Sequence, residues 1–172
     1  LKNISLSFGE EPVFEKLNLL IHPRDRIALV GRNGSGKTTF LKLILKEINA
    51  DQGSIKIHKN MEFSYFDQNR SDLKPNDSLK DVLAPNGGDY IDVRGKMRHI
   101  YGYLKDFMFD PSVVLDSIST LSGGQKNRLK LAKILANPKS CLILDEPTND
   151  LDMDTLDLLE EILINYKGTL II

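Results

Sequence analysis

The chain has 172 residues, of which 41% are hydrophobic and 27% are charged, and its formal net charge is -1. This length is enough for one domain with a hydrophobic core. The near-neutral charge gives no general attraction for nucleic acids. The sequence has neither an apolar run of about 18–20 residues nor a secretion signal, so we expect a cytoplasmic protein without a membrane span.

The first third of the chain alternates strand and helix patterns. The stretches ISLSF at 4–8 and SIKIHKNMEFSYF at 54–66 are rich in β-favouring residues and predict strands. IALV at 27–30 is a short apolar run, which predicts a strand buried on both faces. A glycine-rich loop at 31–39 follows, and then a helix whose apolar residues recur at helical spacing: Phe40, Leu41, Ile44, Leu45 and Ile48.

The loop after IALV predicts a phosphate-binding site. Gly31, Gly36, Lys37 and Thr38 fit the pattern G-x-x-x-x-G-K-[ST]. The glycines let backbone N–H groups face phosphate oxygens, and the start of the helix adds the positive end of its dipole. Lys37 reaches the terminal phosphates, and Thr38 supplies a hydroxyl to Mg²⁺. The chain lacks the [NT]-K-x-D pattern of many GTP-binding proteins, which favours ATP. Phe8 either stacks on the adenine ring or packs in the core.

The middle of the chain, about 70–120, is polar and interrupted by proline and glycine. Its one clear helical stretch is GYLKDFMF, so we expect a helical subdomain at about 70–135 within a single domain spanning 1–172. From Ser122 onward a helix is predicted that ends at Asn137-Pro138. Its inward residues are Leu129, Ala132, Leu135 and Ala136.

The apolar run CLIL predicts a buried strand that ends in two carboxylates. Asp145 is the second hard oxygen ligand that a Mg²⁺ site beside the loop requires. Glu146 either polarises a water for attack on the γ-phosphate or caps or solvates the strand end, and the adjacent pair favours hydrolysis. Cys141 within this strand is expected to be a buried structural thiol.

The last part of the chain repeats the alternation of helix and strand. A helix is predicted from Asp154, and GTLII at 168–172 predicts a final strand. The inward residues of that helix are Leu156, Leu159, Leu163 and Tyr166. Strands that alternate with helices predict an α/β fold with a parallel sheet covered on both faces.

The stretch LSGGQ at 121–125 predicts a second anion site. The Ser122 hydroxyl and the N–H groups of Gly123 and Gly124 stand at the start of a helix, where the dipole favours an anion. The alternative is that Ser122 only caps the helix and the glycines only form a turn.

Five motifs in this order resemble those of the ATP-binding cassette ATPases, over nearly the whole chain. They are GRNGSGKTT as Walker A, YFDQ with Gln68 as the Q-loop, LSGGQ as the signature, CLILDE as Walker B and TNDLD as the D-loop. DEPTNDLD, RHIYGYLKDFMF and YFDQNR are most similar to the ABC-F branch, and within it to the second cassette of Uup-type proteins. The resemblance implies a P-loop cassette with a mixed or parallel sheet core, an N-terminal antiparallel β portion and a helical insert.

The resemblance also implies how the nucleotide is held. In the Walker A stretch Asn33, Gly34, Ser35 and Thr39 would join Gly31, Gly36, Lys37 and Thr38 as nucleotide contacts. The signature residues Ser122, Gly123, Gly124 and Gln125 would contact the nucleotide of a different cassette. Gln68 would be a Mg²⁺ ligand and would relay the nucleotide state to the helical insert, and it joins Glu146 and Lys37 as a catalytic residue. ATP would then pair two cassettes head to tail, and hydrolysis would release them.

One feature of the resemblance lies outside these residues. The switch histidine of the family follows the strand that begins GTLII, whereas His22, His58 and His99 lie in unrelated segments. We therefore expect a C-terminally incomplete piece of a longer polypeptide, which binds ATP but hydrolyses it poorly.

The sequence leaves three functions open. The first is a Uup-type ABC-F ATPase that acts on ribosomes or DNA, and the second is the ATP-binding subunit of a membrane transporter. The third is a binding module in which ATP only sets the conformation. Two basic runs are assigned to solvated faces, with no nucleic-acid contact. They are Lys126, Arg128, Lys130 and Lys133, and Lys96, Arg98 and His99.

Overall fold

A computed structural model of the chain describes residues 1–9, 11–67, 73–149 and 151–172. The strands are β1 (Lys2–Phe8), β2 (Glu11–Leu17), β3 (Arg26–Ile27), β4 (Gln52–Ser54), β5 (Phe63–Asp67), β6 (Tyr90–Val93), β7 (Lys96–His99), β8 (Cys141–Asp145) and β9 (Thr169–Ile171). The helices are α1 (Lys37–Ile44), α2 (Leu79–Leu83), α3 (Ile100–Asp106), α4 (Gly123–Ala136) and α5 (Met153–Asn165).

These elements form two compact units. The first unit comprises Leu1–Ser64, Lys139–Asp145 and Gly168–Ile172, and the second comprises Tyr65–Pro138 and Glu146–Lys167. The single-domain boundary at 1–172 and the subdomain boundary at about 70–135 remain predictions.

An antiparallel sheet opens the first unit, with the strand order β2-β1-β4. Ile4 and Leu6 of β1 are buried and pack with Leu43 of α1 in one apolar cluster. Phe14 of β2 also contacts Phe40 of α1 edge to face, with ring centroids 6.4 Å apart. Burial of these side chains fixes α1 against the sheet, as expected for an amphipathic helix.

Helix α1 is shorter than the sequence predicts, and Leu45 and Ile48 lie beyond its end. Lys46 has φ 59, and its N–H donates to Leu43 O at 3.1 Å. The N–H of Glu47 donates to Lys42 O at 2.9 Å, which completes a Schellman-type stop. A non-glycine residue in the left-handed region therefore ends the helix, which the apolar spacing could not reveal.

The second sheet has four strands in the order β3-β9-β8-β5. β9 is parallel to both β3 and β8, with Ile171 opposite Ile27 and Ile143. The four apolar residues of CLIL are buried, so this strand is confirmed. Cys141 is buried as predicted, and burial raises its pKa to about 11. The parallel sheet places the carboxyl ends of β3 and β8 at one edge.

Two strand predictions are wrong in extent. IALV was expected to be buried on both faces, but β3 covers only Arg26–Ile27 and Val30 is 94% exposed. β3 is the edge strand of the sheet, and its ladder continues only as far as the bond from Leu29 N–H to Ile172 O. The stretch 54–66 is not one strand, because a turn with Met61 N–H bonded to His58 O separates β4 from β5.

The second unit contains α2, α3, α4, α5 and a two-stranded antiparallel sheet of β6 and β7. The sequence predicted α4 with its Ser122 start and Asn137 end, and both are confirmed. The Tyr103 hydroxyl of α3 donates to Ala132 O of α4 at 2.7 Å, in a buried contact. This bond satisfies a polar group in the core and ties α3 to α4. The β6–β7 hairpin and α2 were not predicted.

Helix α5 begins one residue earlier than predicted, with Asp152 as its N-cap. Leu159 and Leu163 are buried as expected, whereas Leu156 and Tyr166 are only partly buried. Thr155 and Ile162 are buried in addition.

Candidate nucleotide-binding site

The glycine-rich loop joins the end of the β3 segment to α1, and two of its glycines have close neighbours. Gly36 is the N-cap of α1 with φ 90, and a Cβ there would lie 2.6 Å from Val13 Cγ1. A Cβ on Gly31 would lie 2.5 Å from Ser35 Oγ. Gly36 is favoured by its left-handed backbone as well as by the close Val13 methyl group, whereas at Gly31 the nearest atom is the end of the rotatable Ser35 side chain.

The start of α1 has no side-chain cap. Within the described parts of the chain, no acceptor is bonded to the backbone N–H of Gly36, Lys37, Thr38 or Thr39, or to that of Asn33 or Gly34. Ser35 N–H donates to Arg32 O at 3.1 Å, which closes the turn. A helix start whose N–H groups are open and whose dipole is unneutralised is suited to bind an anion.

Lys37 lies at this loop. Its Nζ donates to Gly31 O at 2.8 Å and to Arg32 O at 3.1 Å. These bonds hold the ammonium group over the first residues of the loop and add a positive charge to the open N–H groups. The arrangement has the charge and the open N–H groups that a chain of phosphates requires, and the phosphate contacts of these residues stay a prediction.

Thr38 and Asp145 lie close together at the edge of the parallel sheet, within the first unit. The Thr38 hydroxyl donates to Asp145 Oδ2 at 3.1 Å, although 107 residues separate them in the chain. A hydroxyl and a carboxylate are hard oxygen donors of the kind that Mg²⁺ prefers. Two protein ligands suit a metal whose other ligands are water and phosphate oxygens.

Glu146 follows directly but belongs to the second unit. It has φ 50, an uncommon conformation for a non-glycine residue, so the backbone turns sharply after the buried strand. Asn149 Nδ2 donates to Glu146 Oε2 at 2.9 Å, which orients the carboxylate. The exposed Glu146 side chain is thus held in place, and its role in hydrolysis stays a prediction.

The signature residues form the start of α4 in the second unit. Ser122 and Gln125 make a reciprocal capping box: Gln125 N–H donates to Ser122 Oγ at 3.2 Å, and Ser122 N–H donates to Gln125 Oε1 at 2.9 Å. Gly123 and Gly124 N–H have no acceptor among the described residues. A Cβ on Gly123 would meet no atom within 4 Å. The Ser122 cap is therefore present, and two N–H groups at the same helix start have no acceptor in the described part of the chain.

Two other predicted residues remain unassigned by the geometry. Phe8 is 59% exposed at the end of β1, so it does not pack in the core, and its stacking on a base stays a prediction. Gln68 lies outside the described residues.

Sequence reasoning missed one contact near these motifs. Arg128 was assigned to a solvated basic run, but its side chain is only 16% exposed and its Nη1 lies 2.7 Å from Asp152 Oδ2. The D-loop pattern TNDLD includes Asp152, but no local spacing connects it with an arginine 24 residues earlier.

Comparisons with known proteins agree with this geometry. A family model described as "ABC transporter" matches residues 14–149. The chain is 48% identical over 171 residues to the ATP-binding protein Uup of Caulobacter vibrioides, which covers 99% of this chain and 28% of that protein. It is 49% identical over 148 residues to ATP-binding protein Uup of Escherichia coli, which covers 86% of this chain and 23% of that protein. The chain thus spans about a quarter of these curated relatives.

The fold prediction is confirmed by solved structures. An ATP-binding subunit of an ABC transporter superposes with a TM-score of 0.74 at 20% identity, over 99% of this chain and 76% of that one. At this identity the likeness shows the fold alone. The family model covers well over half of the chain and includes the glycine-rich loop, the signature and both carboxylates. This chain therefore belongs to the ABC transporter family, as its five motifs predicted.

Proposed function

We propose that the chain is an ATP-binding and ATP-hydrolysing cassette of a Uup-type ABC-F protein. The observation that carries the proposal is the open start of α1, where Lys37 and a row of N–H groups with no acceptor among the described residues lie beside the Thr38–Asp145 pair. The names of the relatives, which are ATP-binding proteins of the Uup type, support this function over that of a transporter subunit.

Mg²⁺ fits the donor set of Thr38 and Asp145. The Thr38 hydroxyl lies 3.1 Å from Asp145 Oδ2, so both oxygens are close enough to bind one cation. The bound metal would neutralise charge on the phosphates during transfer. Lys37 would exchange its two carbonyl acceptors for phosphate oxygens, and the N–H groups of the loop would orient the triphosphate.

Glu146 would accept a hydrogen bond from the attacking water. Its Oε2 accepts from Asn149 Nδ2, and Oε1, for which the described residues supply no donor, would accept from the water. A fixed carboxylate can hold the water in line with the γ-phosphate and take its proton. Gln68 is assigned to the metal and to the relay by motif alone.

The second anion site, at the start of α4, would bind the nucleotide of a partner cassette. Gly123 and Gly124 N–H, with the Ser122 hydroxyl, would bind the γ-phosphate of ATP held by another cassette. ATP would then stabilise a head-to-tail pair by binding that state preferentially. The pair would act on a ribosome or on DNA through other parts of the protein. No helix in the described ranges is long and apolar enough to cross a membrane.

The experiment measures Mg²⁺–ATP binding and turnover. Lys37→Ala is expected to weaken ATP binding by more than about tenfold, because a charge-assisted bond to phosphate contributes about 1.5–3 kcal/mol. Lys42→Ala is the matched control, since Lys42 is exposed on the same helix and has no side-chain partner among the described residues. Equal ATP affinity of the two variants would contradict the proposed site.

Turnover is measured in the protein that the complete gene encodes. Glu146→Gln is expected to retain ATP and to lower kcat by on the order of a hundredfold or more. Glu160→Gln, on the exposed face of α5, is the control and should leave kcat unchanged. A Glu146→Gln variant with the wild-type kcat would contradict the water-activating role of Glu146.

A further inference from the structure

The second unit contains a cavity beside the β6–β7 hairpin, and none of its lining residues belongs to a nucleotide motif. This hairpin cavity is lined by residues 83–87 at the end of α2, by residues 90–92 of β6 and by the last turn of α4. Its volume is about 300 Å³, at the lower end of the range of roughly 300–1,000 Å³ for small-molecule sites. Ala84, Ile91 and Ala136 of the lining are buried and apolar, which suits a flat apolar group.

Polar side chains also line the hairpin cavity. Asn86, Tyr90 and Lys133 have no side-chain hydrogen-bond partner among the described residues. Asp92 Oδ1 accepts from Gly95 N–H at 2.7 Å, whereas Asp92 Oδ2 has no donor in the same ranges of the chain. The cavity therefore offers both donors and acceptors to a ligand, next to an apolar surface.

The charges that line the cavity balance each other. Lys133 supplies one positive charge and Asp92 one negative charge. Lys133 also lies in the last turn of α4, where the negative end of the helix dipole stabilises its ammonium group without an anion. These observations favour a neutral ligand whose edge carries both donors and acceptors.

Aromatic rings continue from the cavity across the surface of the hairpin. Tyr90 lies opposite His99 in the hairpin register, and their ring centroids are 5.0 Å apart. The His99 and Tyr101 ring centroids are 5.3 Å apart. Packing against His99 thus orients the Tyr90 ring, although Tyr90 is 58% exposed. Unpaired bases stack on exposed, oriented rings of this kind.

The turn of the same hairpin is basic. Arg94 and Lys96 are exposed and have no ion-pair partner among the described residues. They lie about 10–13 Å along the strands from Tyr90 and His99, at roughly 3.3 Å per residue. Both cations are therefore within reach of phosphate groups on either side of a base at Tyr90.

We propose that the hairpin cavity binds a nucleobase, stacked on Tyr90 with its edge bonded to Lys133 and Asp92. The base is supplied either by an unpaired nucleotide of a single strand or by a free nucleoside, and the cations of the turn favour the single strand. Lys96 and His99, which the sequence assigned to a solvated face, thereby gain a ligand. The cavity is separate from the loop of α1, so this inference does not rest on the proposed function.

The first test uses the protein encoded by the complete gene and a short single strand that contains 5-iodouracil. Ultraviolet light links this base to an aromatic side chain that it contacts, and mass spectrometry identifies the linked peptide. We expect the link at Tyr90 or His99. An unlabelled strand should compete, whereas an abasic strand with the same number of phosphates should not. Equal competition by the abasic strand, or no link within residues 83–101, would overturn the proposal.

Uridine as a competitor identifies the source of the base. We expect the strand to compete at least about tenfold better than uridine, because the cations of the turn add phosphate contacts. Competition by uridine at the same concentration as the strand would support the base site and assign it to a free nucleoside.

Lys133→Ala tests the cavity itself and leaves Tyr90 in place to be linked. This variant should raise the strand concentration for half-maximal linking at Tyr90 by about threefold or more. Lys105→Ala is the matched control, since Lys105 is also an exposed lysine in the last turn of a helix of this unit but does not line the cavity. Mg²⁺–ATP affinity should stay at the wild-type value in both. Equal shifts in the two variants, or no shift in Lys133→Ala, would overturn the assignment to the cavity.

Discussion

The helices of the two units begin in different ways. In the second unit, α2, α3, α4 and α5 each start at a residue whose side chain accepts a backbone N–H, namely Ser78, His99, Ser122 and Asp152. In the first unit, α1 starts at Gly36, which has no side chain to offer. These four starts are capped by side chains of the chain itself, whereas the start without a side-chain cap is the one beside Lys37 and the Thr38–Asp145 pair.

The signature helix is intermediate between these two types. Ser122 and Gln125 give α4 a complete capping box, so its start is stable without a ligand. Gly123 and Gly124 nevertheless leave two N–H groups open. This difference suits the proposed roles, because the loop of α1 would hold the cassette's own nucleotide, while the start of α4 would have to keep its shape until a partner's phosphate binds.

The largest effect is expected when a glycine at the start of α1 or of α4 is replaced by alanine, and it should be seen only at α1. Gly36→Ala would place a Cβ 2.6 Å from Val13 Cγ1 at φ 90, and the left-handed region disfavours alanine by roughly 1–2 kcal/mol. The loop must shift, so ATP affinity should fall more than about tenfold. Gly123→Ala meets no atom within 4 Å and should change the free energy of unfolding by less than about 0.5 kcal/mol.

Isothermal titration with Mg²⁺–ATP and urea unfolding of each variant measure these two quantities. The comparison fails if Gly36→Ala binds ATP as tightly as the wild type, because a glycine at this position would then not be required.

Replacing a serine by alanine at the start of α4 and at the start of α1 compares their caps. Ser122→Ala removes the hydroxyl that accepts from Gln125 N–H, and loss of a serine N-cap costs about 1 kcal/mol of unfolding free energy. Ser35→Ala, one residue before the Gly36 N-cap of α1, removes no side-chain cap and should cost less than about 0.5 kcal/mol. Urea unfolding without nucleotide measures both changes. Equal losses of unfolding free energy in the two variants would mean that the Ser35 side chain also stabilises the start of α1.

Local sequence patterns sufficed for the phosphate loop and for α4. Glycine spacing, one lysine and one threonine define the loop, and an apolar period between Ser122 and Asn137-Pro138 defines the helix. Each of these features depends on residues that are near each other in the chain. The burial predicted for IALV was wrong. Apolar composition does not show that a strand lies at the edge of a sheet, or that its hydrogen bonds with the neighbouring strand end at Ile172.

The β6–β7 hairpin shows why other parts were missed. Its two-residue turn has φ 53 at Arg94 and φ 83 at Gly95, whereas the usual sequence signal for such a turn is Asn-Gly or Asp-Gly. Arg94 N–H donates to Ala136 O at 3.0 Å and to Asn137 Oδ1 at 3.2 Å. Contacts with the end of α4 thus accompany an unfavourable turn residue. The Arg128–Asp152 pair is likewise tertiary and has no local signal.

The smallest effect is expected on the unfolding free energy at low pH. It distinguishes the charged Asp152 cap of α5 from the uncapped start of α1. Bonds from the Thr155 hydroxyl and N–H, and then the Arg128 charge, hold the pKa of Asp152 below its ordinary value of 3.8. A carboxyl with a lowered folded pKa stabilises the fold above its unfolded pKa, and this contribution is lost as the pH falls through the folded pKa. Unfolding free energy should therefore fall below about pH 4, and this fall should be shallower in Asp152→Asn than in the wild type. Asp157→Asn, on the exposed surface of the same helix, is the control. If the unfolding free energy of Asp152→Asn varies with pH as in the wild type, the charge of Asp152 contributes nothing to the stability of α5. The starts of α5 and α1 would then differ in their hydrogen bonds and geometry, and not through the charge of the cap.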